Sequence, residues 1–217
     1  MFLNKKILIT AGPTYEPIDP VRFIGNRSSG KMGYAIAEVL AEKGAEITLI
    51  SGPVSIKPIH PNISLIKIET AAQMFDECML KMDIMDIGIY AAAVADYTPK
   101  TFSINKIKKD DEQLFIELTK TKDILKTMGE MKKQKQVLVG FALETYNEEK
   151  YAQEKLIRKN LDFIVLNSLK DTGAGFATDT NKITIIDKYN NITKFELKEK
   201  RKVAEDIIAY LTKFLDV

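Results

Sequence analysis

The stretch Gly25-Asn26-Arg27-Ser28-Ser29-Gly30-Lys31-Met32-Gly33 gathers amide, hydroxyl and cationic side chains around glycines. That combination suits an anion. It falls one side chain short of the phosphate-binding pattern G-x-x-x-x-G-K-[ST], with Met32 where a hydroxyl would hold magnesium. A Walker loop also leaves its strand directly. Here the preceding apolar run stops at Thr10, and fifteen residues (11 to 25), three of them proline, intervene before Asn26. Both departures count against an ordinary NTPase loop, but not against anion binding. Ser28, Ser29 and Gly30 sit just ahead of an amphipathic run, so their backbone N–H groups and the positive end of a helix would face the ligand. Asn26 adds a neutral donor, and Arg22 and Arg27 add charge. Taken alone, these residues fit a plain serine-capped helix start with solvated arginines equally well.

Elements alternate in a way that can position such a site. Lys5 to Thr10 reads as a buried strand stopped by Ala11-Gly12-Pro13, followed by a long irregular segment. From Gly30 the period becomes helical, with Met32, Ala35, Ile36, Val39 and Leu40 on one face and Gly44 as the C-terminal cap. Strands follow at Glu46 to Ile50 and Ser64 to Ile68, then a helix from Thr70, its N-cap, to Met82. Asp86 to Tyr90 is a strand and Tyr97 to Asp111 a polar, basic loop. Gln113 to Leu118 alternates like a strand, Asp123 to Lys133 is a helix, and Val137 to Phe141 is a buried strand. Asn147 to Asn160 is helical and Phe163 to Leu166 strongly apolar. Lys182 to Ile186 and Ile192 to Leu197 form a hairpin, and a last helix carries the stripe Val203, Ile207, Leu211 and Phe214. The pattern predicts a single α/β domain over residues 1–217: a Rossmann-like, doubly wound, mostly parallel sheet with helices on both faces and an added β-hairpin.

In such a sheet, ligands sit outside the carboxyl ends of the strands. The sequences there are unusual: Ala11-Gly12-Pro13-Thr14, Ser51-Gly52-Pro53, Ala91-Ala92-Ala93 followed by Asp96, Gly140 through Thr145, and Asn167. Small residues let a flat ligand approach the backbone, Phe141 can wall a base, and Asp96 or Asn167 can read its polar edge. Lys106, Lys108 and Lys109 follow Asp96 in the loop. Lys155 and Lys159 share a helical face, where like charges repel by a few tenths of a kcal/mol, roughly, unless an anion lies between them. A solvated lysine face explains that pair equally well.

Bulk properties exclude other classes. The chain has 217 residues, 45% hydrophobic and 29% charged, and 32 basic against 30 acidic residues give a net charge of +2. That balance gives no reason to expect nucleic acid or a membrane as partner. No apolar run is long enough to span a bilayer. One cysteine, Cys78, forbids an internal disulfide and points to a reducing, cytoplasmic location. Cys78 reads as a core thiol, His60 as a loop residue, and Met74, Met79, Met82 and Met85 as core packing.

The segments ITAGPTYEPIDPVRFIGNRSSGKMG, AAAVADY, KIKK, VGFALET and KLIRKNLDFIVLN, spread from Ile9 to about Lys182, closely resemble the bacterial phosphopantothenate–cysteine ligases. That family activates 4′-phosphopantothenate with CTP, in the presence of Mg²⁺, to an acyl-cytidylate, and then couples it to L-cysteine in coenzyme A synthesis. Many members are fused behind a flavin-dependent decarboxylase. The resemblance covers only the ligase part, as in a stand-alone ligase or an excised domain, and Met1 just before the first strand favours the former. The resemblance implies that Asn26 handles the acyl-cytidylate, that Arg22 matters to the reaction, and that Lys106 begins a flexible loop closing over the site. It places Ala92, Asp96, Lys122, Asp123, Ile124, Leu125, Phe141, Lys155 and Lys159 against the nucleotide, with Ser28, Ser29 and Gly30 at the substrate. Lys122 departs from the family's proline, which puts the local backbone shape in question. The resemblance also implies a homodimer; the hairpin and the 113–118 strand are the candidate contacts. It leaves the metal ligands open.

Two other readings stand beside it. A nicotinamide-dependent short-chain oxidoreductase suits the sheet pattern, but no G-x-G-x-x-G follows the first strand and no acidic residue ends the second. A non-enzymatic nucleotide-sensing module would need neither Asn26 nor a closing lysine loop.

Overall fold

A computed structural model describes residues 1–108, 113–144, 146–168 and 178–216. Lys109 and Thr145, named above, lie outside the described residues. Six strands run parallel: β1 (Lys6–Ala11), β4 (Glu46–Ser51), β5 (Ile63–Lys67), β6 (Ile87–Tyr90), β9 (Val137–Glu144) and β10 (Phe163–Ser168). β12 (Ile183–Asp187) and β13 (Ile192–Lys194) add an antiparallel hairpin beside β10. The spatial order is β13-β12-β10-β9-β6-β1-β4-β5.

Alternation along the strands divides the core in two. On one face Ile7, Ile9, Val137, Val139, Phe163 and Val165 meet α1 (Lys31–Glu42) and α5 (Lys200–Leu215). On the other, Leu8, Leu138, Ile164 and Leu166 meet α2 (Ala71–Met82), α3 (Ile124–Met131) and α4 (Glu148–Arg158). A strand buried on both sides must be apolar at every position, which is why these runs read as continuous rather than alternating. Each fully buried Ile or Leu contributes about 1.5–3 kcal/mol. α2 begins with a reciprocal cap: Thr70 Oγ1 accepts from Gln73 N at 3.2 Å and Gln73 Oε1 from Thr70 N at 3.1 Å. Met74, Cys78 and Met82 then recur at helical spacing and are buried. Burial pushes the Cys78 thiol up to about 12, so it is an inert core group.

Several boundaries differ from the sequence reading. The irregular segment after β1 contains a short hairpin, β2 (Tyr15–Pro17) with β3 (Phe23–Gly25). The basic loop opens with β7 (Tyr97–Pro99), which pairs with β8 (Leu118–Lys120). Residues 113–117, expected as a strand, have no regular structure. Their alternation buries little: Leu114 and Phe115 are exposed and Ile116 is half-buried. The hairpin's second strand ends at Lys194, and the chain then forms β14 (Lys198–Glu199) against β11 (Thr180–Asn181). Among the described residues, no helix is long and apolar enough to cross a membrane.

Candidate functional site

Beyond β1 the strand order turns back. β4 and β5 lie on one side of it and β6, β9 and β10 on the other. Ligands of open α/β sheets bind at such a switch point, and a cavity of about 690 Å³ opens there. Its floor is Thr10 at the end of β1 and Tyr90 with residues 91–94 beyond β6. This strip is pinned to the exit of β1. Ala92 N donates to Thr10 Oγ1 at 3.3 Å, Ala93 N to Gly12 O at 2.9 Å and Ala95 N to Thr14 Oγ1 at 2.9 Å. Small side chains leave the backbone open to a flat ligand.

Ser28, Ser29 and Gly30 line one wall. Gly30 is the N-cap of α1, with φ of 75°, in the left-handed region that glycine tolerates. No side chain caps this helix: Ser28 Oγ instead accepts from Gly30 N at 3.3 Å. The serine-capped reading is thus corrected. The first-turn residues Lys31, Met32 and Gly33 line the cavity at the positive end of a helix.

The opposite wall comes from residues 120–125, β9 and α4. Asp123 caps α3, its Oδ1 accepting from Lys126 N at 3.0 Å. Lys122, Ile124 and Leu125 flank it on the cavity. Lys122 Nζ lies over the Phe75 ring, 4.5 Å from its centroid. Phe141 comes from β9, Lys155 from α4, and Lys159 from the C-cap of that helix. The lysines are not a solvated face. Lys159 is only 7% exposed and forms an ion pair with Asp123. Lys155 Nζ donates to Phe141 O at 2.8 Å, and Glu149 is engaged elsewhere, with Lys194. Burial lowers the Lys155 ammonium, against Glu144 and with Lys159 adding repulsion. Burial alone would raise the Asp123 carboxyl, but its bonds from Lys159 and the Lys126 amide hold it below the usual carboxylate range.

Ala92, Asp96, Lys122 to Leu125, Phe141, Lys155 and Lys159 therefore share one hollow with Ser28, Ser29 and Gly30. Asn26, Arg22 and Lys106 do not line it. Asn26 stands at its edge, where Nδ2 donates to Ala93 O at 3.0 Å and Val94 O at 3.1 Å, so both amide hydrogens hold the floor strip. Arg22 pairs with Asp19 and reaches Ile107 O at 3.0 Å. Lys106 is exposed.

The cavity has members that the sequence reading missed. Lys200 is buried, with Nζ donating to Thr178 O, and Asn181 Nδ2 donates to Asn167 Oδ1 at 3.1 Å. Both belong to the region following β10, and the long-range β10–β12 and β11–β14 pairings bring it to this wall. No local pattern signals that. Lys120, Arg158 and Glu144 complete the charged lining. Seven basic residues (Lys31, Lys120, Lys122, Lys155, Arg158, Lys159, Lys200) face three acidic ones (Asp96, Asp123, Glu144) among the described residues, in a chain whose net charge is +2. Such a cavity suits a polyanion. Among the described residues, no group of three or more His, Cys, Asp or Glu could by itself hold a metal ion. A cation carried on phosphates needs only one or two carboxylates, which Asp96 and Glu144 can supply.

Residues 2–215 match the DNA/pantothenate metabolism flavoprotein C-terminal domain family. A prokaryotic protein named cysteine/cysteine sulfinic acid decarboxylase is 56% identical over 205 residues, covering 94% of this chain and 57% of that protein; its source organism is unidentified. The coenzyme A biosynthesis bifunctional protein CoaBC of Bacillus subtilis (strain 168) is 48% identical over 205 residues, covering 94% of this chain and 50% of that protein. The chain thus spans about half the length of these curated relatives. The crystal structure of the C-terminal domain of coenzyme A biosynthesis bifunctional protein CoaBC superposes with a TM-score of 0.83 at 44% identity, covering 99% of this chain and 98% of that one.

Proposed function

The chain belongs to the DNA/pantothenate metabolism flavoprotein C-terminal domain family, and on that premise we propose that it is a phosphopantothenate–cysteine ligase of coenzyme A synthesis. The carboxylate of 4′-phosphopantothenate attacks the α-phosphate of CTP, forming the acyl-cytidylate and releasing pyrophosphate. The amine of L-cysteine then attacks the acyl carbon, loses a proton and expels CMP. The end-to-end match with a CoaBC C-terminal domain supports this reading over the decarboxylase name, which attaches to a protein of which the chain covers 57%.

The observation that carries the proposal is the concentration of positive charge in one cavity of a nearly neutral chain. Attack of a carboxylate on a phosphate brings two anions together, so their charge must be neutralised first. Lys155 and Lys159 on one wall and the N-terminus of α1 at Lys31 to Gly33 on the other support that role. Phe141, the small residues 91–93 and Asp96 line the same cavity, which supports a cytosine site walled by Phe141 and read by Asp96. When bound, Mg²⁺ would neutralise charge on the phosphates, held there with Asp96 or Glu144. Asn26 has no proton to exchange at neutral pH, so it positions rather than acting as acid or base. Lys106 and its loop close over the acyl-cytidylate and keep water out. No protein nucleophile is required.

The same reading makes the protein a cytoplasmic homodimer, with no nucleic acid or membrane partner. Exposed Phe102, Leu114 and Phe115, beside the β7–β8 hairpin, support a covered surface at that end, with the β12–β13 hairpin as the other candidate contact. Sedimentation of the purified protein tests the dimer.

The deciding experiment mixes protein, CTP, 4′-phosphopantothenate and L-cysteine and measures CMP and pyrophosphate. Their formation only when all three substrates are present is the expected result. CO₂ release from cysteine without CTP would instead favour the decarboxylase name, and binding of CTP without turnover a sensing module.

A further inference from the structure

Asp19 lies in the turn that joins β2 to β3, and its side chain is fully buried. One oxygen organises the turn itself: Oδ1 accepts from Val21 N and Arg22 N, each at 2.9 Å. The other does something a turn does not need. Oδ2 accepts from Arg22 Nε at 3.0 Å, from Arg22 Nη2, and from Ile107 N at 3.1 Å, across 88 residues of sequence. Arg22 Nη2 in turn donates to Ile107 O at 3.0 Å. Both backbone polar groups of Ile107 are thus held by one carboxylate–guanidinium pair. Four residues earlier, Ser103 N donates to Ile18 O at 3.0 Å, so the basic segment is fastened to the same turn twice. Lys106 immediately precedes the held residue.

An Asn or Ser would serve the local turn through one acceptor. A buried carboxylate is costly unless all its lone pairs are used, and five donors use them here. The Arg22 guanidinium holds the Asp19 carboxyl well below the usual carboxylate range.

We propose that Asp19 and Arg22 form a latch that fixes the backbone of Ile107 and thereby sets the anchor from which Lys106 swings to the cavity for the ligase reaction. Asp19 is a positioning residue that acts through Lys106, and Arg22 belongs to the same latch rather than to the substrate. This rests on the ligase reading for its kinetic arm only. The hairpin carrying the latch also carries Asn26, whose amide is tied to the cavity floor. Loop and floor are therefore referenced to one rigid turn.

The test uses Asp19→Asn, which keeps shape and the turn acceptor but removes the charge and one acceptor. Trypsin cleavage of the intact protein after Lys106 and Lys108 should accelerate about tenfold or more, because the tethered backbone is released. Turnover should fall about 10- to 100-fold. The double variant Asp19→Asn/Lys106→Gln should turn over no more slowly than Lys106→Gln alone, since one residue acts through the other. Arg22→Lys keeps charge and loses the two-armed grip, so it should accelerate the same cleavage, and it serves if Asp19→Asn does not fold. Unchanged cleavage, or losses that multiply in the double variant, would overturn the latch. If the wild-type protein releases no CMP, the ligase reading fails while the cleavage experiment still decides the latch.

Discussion

Lys159 and Asp123, 36 residues apart in sequence, meet as an ion pair on the wall of the cavity. The lysine side chain is 8% exposed and the carboxylate 49%. Asp123 is fixed as the cap of α3 and Lys159 as the C-cap of α4, so the pair joins two helix ends. An incoming phosphate would compete with Asp123 for the same ammonium. The carboxylate keeps the buried cation satisfied before substrate arrives.

Lys159→Gln should therefore weaken the use of CTP more than it weakens the fold. The half-exposed partner left behind can be solvated, so the stability loss should be about 1 kcal/mol. Loss of one charged donor to a phosphate should raise the CTP requirement about tenfold or more. Initial rates against CTP concentration, beside a urea melt, check both. An unchanged CTP dependence would remove Lys159 from the groups that neutralise the phosphates.

Asn26→Asp should nearly abolish turnover while leaving the fold intact. The native Nδ2 donates to Ala93 O and Val94 O. In the variant, a carboxylate oxygen would face two carbonyl oxygens at about 3 Å, a repulsion that drives the side chain out of place. The floor strip then loses its tie to the β2–β3 hairpin. Circular dichroism should match the wild type and CMP release should fall by about 100-fold or more. Wild-type turnover would show that Asn26 has no part in the reaction.

How legible this was in the sequence varied with the range of the interactions. The strands β1, β4, β6, β9 and β10 are short, mostly apolar runs, β1 and β4 with glycine-proline stops, and the Thr70 cap and the stripe of α5 are local patterns too. The cavity wall of Ser28 to Gly30 is legible as a short contiguous motif ahead of a helix and Lys155 with Lys159 by helical spacing, whereas Lys122 to Leu125 is legible only through the family resemblance. Other features required pairing between distant segments. Asp19 gives no signal of reaching Ile107, and Lys200 gives none of turning towards Thr178. The 113–117 segment alternates like a strand, but Leu114 and Phe115 are left exposed, and period alone does not supply a neighbour to cover them.

Gly129→Ala should disturb the site from behind. A Cβ at Gly129 would stand 1.9 Å from the carbonyl oxygen of Lys159, a backbone atom that cannot step aside. Asn160 Nδ2 also donates to Gly129 O at 2.9 Å, so α3 and the end of α4 are in close register. Relief requires the two helix ends to separate, moving Lys159 from Asp123. The helix-propensity gain of about 1 kcal/mol should be outweighed by about 1–3 kcal/mol of overpacking. Thermal unfolding should fall by several degrees and the CTP requirement should rise in parallel. Equal or greater stability would mean that the contact relaxes without cost.

Acid should act through Asp187, which is buried at the β12–β13 turn. It accepts from Tyr189 N, Asn191 N and Asn191 Nδ2 at 2.9 Å and from the Tyr210 hydroxyl at 2.8 Å. Burial would raise its carboxyl, but these donors, led by Asn191, hold it below the usual range. Because the folded value is depressed, its contribution is present above the unfolded value of about 3.9 and is lost as pH falls through the folded value. Asp187→Asn should cost about 2 kcal/mol at pH 7. Since the variant has no carboxyl to titrate there, its deficit should shrink as the pH is lowered below about 4. Urea unfolding of both proteins at neutral and acid pH measures the gap. A gap that stays constant would mean the Asp187 charge contributes nothing, and that the turn is held by shape alone.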